Sequence, residues 1–165
     1  MFHCLRYERN RTDFVCHIVG DGDSLEPLQE LAEKLKLEEC VKFTGFISDR
    51  DRIRQYLRMT DIGIEPAPEN YLNVHSTFIK VMEYMAAGKP VVAFDLTESR
   101  YSLGGGGLLV PPGDMKGLAD AIERLLDDPS LRNKLGQIGY QRVTKELKWE
   151  SASLKLLDAY ECLFR

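Results

Sequence analysis

Pro90-Val91-Val92-Ala93-Phe94 is a continuous apolar run that begins two residues after Gly88, itself the stop of a helical pattern over Phe78 to Ala87. A strand entered from a helix through a short glycine turn constrains the fold strongly, and the same grammar recurs along the chain. Phe14 to Val19 reads as a buried strand closed by Gly20-Asp21-Gly22-Asp23, Cys40 to Phe43 as a short strand closed by Gly45, Ile62-Gly63-Ile64 as a third, and Leu108-Leu109-Val110 as a fifth. Between them lie helical stripes. Leu28, Leu31, Ala32 and Leu35 follow a Ser24 cap, and Ile53, Tyr56 and Leu57 follow an Asp49 cap. Three helical patterns, Met115 to Leu126, Ser130 to Leu147 and Glu150 to Phe164, complete the chain, and Phe2 to Arg9 reads as the tail of a helix. Strands alternating with helices of about ten to fifteen residues predict an α/β domain, a doubly wound parallel sheet with helices on both faces.

At 165 residues and 44% hydrophobic content the chain is sized for one domain. Charges are mixed in sign, with 22 Lys and Arg against 26 Asp and Glu, which argues against a nucleic-acid-binding surface. No apolar run approaches the ~20 residues of a membrane span, and Met1 opens no signal peptide, so a cytoplasmic place is expected. Cys4, Cys16, Cys40 and Cys162 are scattered without metal-ligand spacing and read as buried thiols, and no carboxylate cluster suggests a metal.

In an open α/β sheet a ligand sits beyond the carboxyl ends of the strands. Those ends are Gly20-Asp21-Gly22, Gly45, the irregular stretch Ala67 to Val74, and the polar loop after Phe94. The third leads into a helix start bearing Ser76 and Thr77, either of which is suited to cap it, followed by Lys80 and Glu83. Backbone N–H groups at Ser76, Thr77 and Phe78, with the helix dipole behind them, are suited to a phosphate. Lys80 adds charge there, Glu83 can accept two hydrogen bonds from a ribose diol, and His75 can donate to a phosphate or a sugar hydroxyl. The bland alternative is that Ser76 and Thr77 only cap the helix while Lys80 and Glu83 are solvated. Gly104 to Gly107 reads as flexible loop, since it precedes a strand rather than a helix, and His17 as a sheet or core residue.

Taken in order, VGDGDSLEPLQELA, VKFTGFIS, MTDIGIEPA, VMEYMAAGKPVVAFD and GGLLVPPGD cover nearly the whole chain. Together they resemble the C-terminal, donor-binding half of retaining GT-B glycosyltransferases of the glycogen-synthase and bacterial mannosyl- or glucosyltransferase type. The resemblance implies a Rossmann-like domain over residues 1–165 that lacks the family's first strand and its acceptor-binding N-terminal domain. It implies a nucleoside-diphosphate sugar donor (UDP-, GDP- or ADP-linked), a hydroxyl acceptor held by the other domain, no cofactor and no metal. The product would belong to polysaccharide or glycolipid synthesis, with a peripheral place at the inner face of a membrane left open for the full-length protein.

By the same resemblance Ser76, Thr77 and Phe78 match the phosphate-binding turn, Glu83 the ribose contact, Gly45-Phe46-Ile47 the nucleobase segment, and Gly20 and Gly22 the cleft lining. His75 and Lys80 stand as the candidate catalytic groups, His75 where the family commonly has a further glutamate. The family's basic residues for the diphosphate would precede Met1. A bare sheet edge and an exposed helix from Glu150 to Arg165, presenting Leu157 and Phe164, would favour self-association of the chain. An epimerase or phosphorylase of the same fold, or a non-catalytic interaction domain, are the competing readings.

Overall fold

The computed structural model describes residues 1–164, so Arg165, the last residue of the expected C-terminal helix, lies outside it. All five strands form, in parallel, but they pair as two sheets and the chain divides into two compact units where one domain was expected. The first unit is Met1–Met59 and the second starts at Thr60.

In the first unit β1 (Cys16–Val19) pairs with β2 (Val41–Gly45), Cys16 facing Val41 and Ile18 facing Phe43, with a register shift between Ile18 and Val19. α1 (Leu25–Lys34) connects them and α2 (Arg50–Met59) follows. A π-helical turn, Cys4–Glu8, precedes β1 and buries Cys4 and Leu5. The core is Ala32, Leu37, Cys40 and Val41, ringed by Phe2, Phe14, Cys16, Ile18, Leu35 and Phe43. β1 is shorter than expected and not buried: its residues alternate between half-buried and exposed, as a strand covered on one face must. The α1 stripe is also narrower than its spacing implied. Ala32 is buried while Leu28 and Leu31 are exposed, because a two-stranded sheet offers little surface to cover. Ser24 occupies the N-cap position without a side-chain bond, whereas Asp49 Oδ1 accepts from Asp51 N–H at 2.9 Å and caps α2 as expected.

The second unit carries β3 (Gly63–Glu65), β4 (Val91–Phe94) and β5 (Gly107–Val110) in the order β3-β4-β5, with Gly63 facing Val91 and Val91 facing Gly107. Alternate residues of a strand point to opposite faces, and all four of β4 are buried, so both faces of this sheet are covered. α4 (Ile79–Ala86), α5 (Thr97–Leu103) and α6 (Met115–Asp127) pack on β4. Val81 and Met85 of α4 meet Val91, Ala93 and Leu103 in one cluster. α6 and α7 (Pro129–Lys145) are capped by Asp114 and Asp128, whose carboxylates accept from Gly117 N–H at 2.7 Å and Leu131 N–H at 2.8 Å.

Three segments depart from their expected form. The polar loop after Asp95 is helix α5, invisible to hydrophobic periodicity because it buries Ser99 and Ser102 beside Leu103. The run Gly104 to Gly107 is closely packed at its end and enters β5 at Gly107: a Cβ on Gly106 would sit 2.6 Å from the Cα of Gly139 in α7, and one on Gly107 would overlap the Val91 carbonyl. The stretch Ala67 to Val74 contains a helical turn, α3 (Tyr71–Val74), capped by Asn70 Oδ1 from Asn73 N–H at 2.8 Å. α8 (Trp149–Leu163) presents Leu154, Leu157 and Leu163 to the surface, and Phe164 after it is exposed as expected. Cys4 and Cys40 are buried, Cys16 is half-buried, and Cys162, expected inside, is exposed on α8 because that helix covers no core. Among the described residues no helix is long and apolar enough to cross a membrane.

Candidate functional site

The chain leaves β3 through Glu65-Pro66-Ala67, and the local chemistry there is unusual. Glu65 is 1% exposed, a buried carboxylate at the last position of a strand whose other residues are Gly63 and Ile64. Its Oε1 accepts from Ala67 N–H at 3.0 Å. Its Oε2 has no hydrogen bond but lies 2.7 Å from Lys80 Nζ, a close charge contact at an angle outside that of an aligned hydrogen bond. Lys80 is the second residue of α4, and its ammonium also sits 5.6 Å from the centre of the Phe78 ring. Burial pushes the Lys80 pKa below the ordinary lysine range, and a carboxylate at contact distance opposes that by favouring the charged form. Glu65 escapes a sequence reading because a glutamate beside Pro66 looks like the first residue of a solvated loop.

The turn into α4 is formed differently from the capping arrangement expected. Phe78, in extended conformation, is the N-cap, and no side chain bonds the first turn. Ser76 Oγ donates instead to Leu72 O at 2.6 Å, closing α3, and Thr77 Oγ1 donates to Glu98 Oε2 of α5 at 3.1 Å. Both hydroxyls are thus engaged elsewhere in the fold. Ser76 N–H is also engaged, donating to Asn73 O at 3.3 Å. Among the described residues nothing accepts from the N–H groups of Thr77 or Phe78. Of the three amides expected at this turn, that of Ser76 is engaged in the α3 turn and those of Thr77 and Phe78 are not. At the far end Gly88 adopts φ +70°, the left-handed stop expected of it.

Glu83 lies one turn beyond Lys80 on α4 and is exposed. His75 caps the C-terminus of α3: its Nδ1 is 2.8 Å from Tyr71 O and its ring packs on the Tyr71 ring at 4.9 Å. That contact orients His75 through α3. Beyond β4, Asp95 accepts two hydrogen bonds from Arg100, at 2.8 and 2.6 Å, which hold the guanidinium above its ordinary pKa.

The remaining candidates belong to the first unit. Gly20, with φ +144°, donates its N–H to Gly45 O at 3.0 Å, so the ends of β1 and β2 are tied together. Gly22 and Gly45 have φ of +147° and +67°, and a Cβ at any of these three glycines would meet nothing within 4 Å. Backbone conformation rather than packing therefore requires glycine there, and the space beside each is open. Phe46 is 75% exposed and Ile47 half-buried. His17, within β1, packs on the Tyr56 ring at 5.3 Å.

Residues 2–128 match the family model described as Glycosyl transferases group 1. The chain is 35% identical over 146 residues to a phosphatidyl-myo-inositol mannosyltransferase of Mycobacterium leprae, covering 87% of this chain and 37% of that protein. Among solved structures, sucrose-phosphate synthase of Thermosynechococcus elongatus superposes with a TM-score of 0.75 at 28% identity, over 90% of this chain and 38% of that one. Anabaena HepE, solved in complex with UDP, superposes with a TM-score of 0.76 at 24% identity, over 92% of this chain and 42% of that one. The chain spans about a third of the length of the curated relatives it matches. With the parallel sheets, the glycine turns after β1 and β2, and the helix that follows the β3 loop all in the expected order, the chain belongs to the Glycosyl transferases group 1 family.

Proposed function

We propose that this chain binds a nucleoside-diphosphate sugar as the donor half of a retaining glycosyltransferase that moves the sugar to a hydroxyl acceptor. The observation that carries the reading is the start of α4, where the N–H groups of Thr77 and Phe78 are unengaged and Lys80, whose ammonium lies 5.6 Å from the Phe78 ring centre, opens the helix after Ile79. A helix N-terminus carries about half a positive charge, and fixed donors aimed at a departing diphosphate stabilise negative charge as it develops. Glu83, exposed on α4, supplies the acceptor oxygens for a ribose diol. HepE, which shares the fold, was crystallised with UDP and with UDP-glucose, in keeping with a uridine donor as one member of the class.

A thermal-shift panel of UDP, GDP, ADP and their sugar conjugates tests the reading. A ligand at a hundred times its Kd stabilises the folded chain by about 2.7 kcal/mol. One nucleotide is expected to raise the Tm well above the others, and a panel with no shift from any of them overturns the proposal.

A further inference from the structure

We propose that Glu65 is a positioning residue of the donor site, its buried carboxylate anchoring the Lys80 ammonium at the start of α4 where that ammonium meets the diphosphate. The inference rests on the donor-binding reading above. A lysine near a helix start ordinarily samples many rotamers, and ordering it on binding costs affinity. Here the ordering is done in advance. The β3 backbone fixes Glu65 through its pairing with Ala93, and the Ala67 N–H holds Oε1. Oε2 is thereby presented to Lys80 Nζ at 2.7 Å, and the Phe78 ring centre lies 5.6 Å from the same ammonium. An ammonium has three donors, and the Lys80 side chain is still about half exposed, at 49%, so it stays within reach of a ligand.

The carboxylate sets charge as well as place. Partial burial lowers the Lys80 pKa, and an opposite charge at contact distance works against that shift. Among the described residues the elements packed on α4 bring Lys80 no second ion-pair partner. β4 is Val91-Val92-Ala93-Phe94 and has no ionisable side chain. α5 brings Glu98, bonded to Thr77, and Arg100, bonded to Asp95. α7 carries Arg132, bonded to Leu125 O and Leu126 O, with Lys134, Tyr140, Lys145 and Arg142, the last bonded to Glu146 just past the helix end. On α4 itself Glu83 lies one turn on, and the carboxylate in contact with Lys80 is that of Glu65.

The test compares the wild-type chain with Glu65→Gln, Glu65→Asp, Lys80→Met and the Glu65→Gln/Lys80→Met double variant. UDP and GDP are titrated from pH 7 to 9.5, with uridine and guanosine as controls. Glu65→Gln is expected to weaken diphosphate binding roughly tenfold, more as pH rises, to leave nucleoside binding unchanged, and to add nothing in the Lys80→Met background. Glu65→Asp is expected to recover most of the loss. Equal diphosphate affinity for Glu65→Gln and wild type across the range overturns the inference. So does an equal loss of diphosphate and nucleoside, or a loss that persists without Lys80. In the ligand-free chain, NMR titration of the Lys80 Cε should show a midpoint lower by about one unit or more in Glu65→Gln, and coincident midpoints remove the anchor. A wild-type chain that binds no nucleoside diphosphate overturns the donor reading instead, and the ligand-free titration still decides the anchor. Should Glu65→Gln fail to fold, Glu65→Asp and Lys80→Met carry the same comparison.

Discussion

Thr77 Oγ1 donates to Glu98 Oε2 at 3.1 Å, joining the residue just ahead of α4 to the first turn of α5. The bond crosses the ends of two strand-to-helix connections, after β3 and after β4, and so fixes the backbone that carries the unengaged N–H groups of Thr77 and Phe78. Thr77→Val keeps the shape and removes the donor. A loss of about 0.5–1.5 kcal/mol is expected, the range of a hydrogen bond exposed to water. Urea denaturation measures it, and a midpoint equal to wild type would show the bond contributes nothing.

Glu83→Ala separates binding from folding. The side chain is exposed on α4 and buries no apolar surface, so its removal leaves the core of Val81 and Met85 intact. Hydrogen bonds from a ligand to a carboxylate are worth about 1.5–3 kcal/mol, or roughly ten- to a hundredfold in Kd. Calorimetric titration with the nucleotide selected by thermal shift should show that loss with circular dichroism unchanged. Equal affinity would remove Glu83 as the ribose contact.

Gly136→Ala is expected to destabilise despite improving helix propensity. Alanine gains up to about 1 kcal/mol over glycine in a helix interior. At Gly136, however, a Cβ would overlap the carbonyl oxygen of Gly88, a backbone atom at the turn from α4 to β4 that cannot rotate away. Overpacking costs about 1–3 kcal/mol and more where backbone must shift. The clash wins, and the Tm should fall; a Tm at or above wild type would show that α7 moves freely against that turn.

Cys16 gives stability a defined dependence on alkaline pH. Burial, with the neighbouring Cys40 thiol adding to it, pushes the Cys16 thiol from 9.0 up to about 12. The unfolded chain gives up this proton near the ordinary thiol value of about 8.5, while the folded chain keeps it. The folded state therefore holds this contribution in full below that value and loses it as pH rises toward 12. Denaturation midpoints measured between pH 8 and 11 should fall more steeply for wild type than for Cys16→Ala. At pH 8 a thiol reagent should label the exposed Cys162 well before Cys16. Parallel slopes for the two proteins would contradict the burial of this thiol.

The strands were legible because each is a short, largely apolar stretch with glycine or proline at one of its ends, and Val91 to Phe94, after Pro90, and Gly88 behave as their residues imply. α5 was hidden because its inward positions include Ser99 and Ser102, whose hydroxyls find no hydrogen-bond partner among the described residues and which carry no hydrophobic period. The same blindness covered Glu65. A buried charge is defined by what surrounds it, and its partner Lys80 lies fifteen positions away on another element. Ser76 and Thr77 were read by local rules as caps, whereas long-range geometry gave them Leu72 and Glu98 as partners. Gly20 and Gly22 follow β1 and Gly45 ends β2, as their residues imply, and their open surroundings emerge only in three dimensions.

The central position of β4 has a consequence for how the second unit comes apart. Its amides are bonded on both sides, to β3 and to β5, and its side chains are buried on both faces, whereas β3 and β5 each lack one neighbour within this sheet. Amide protons exchange with solvent only when the local structure opens, and openings begin where fewest contacts must be broken. Deuterium will therefore reach α8 first, with its exposed apolar side chains, then the outer strands, and Val91 to Phe94 last. Partly open forms of this unit will be ones in which β4 still holds.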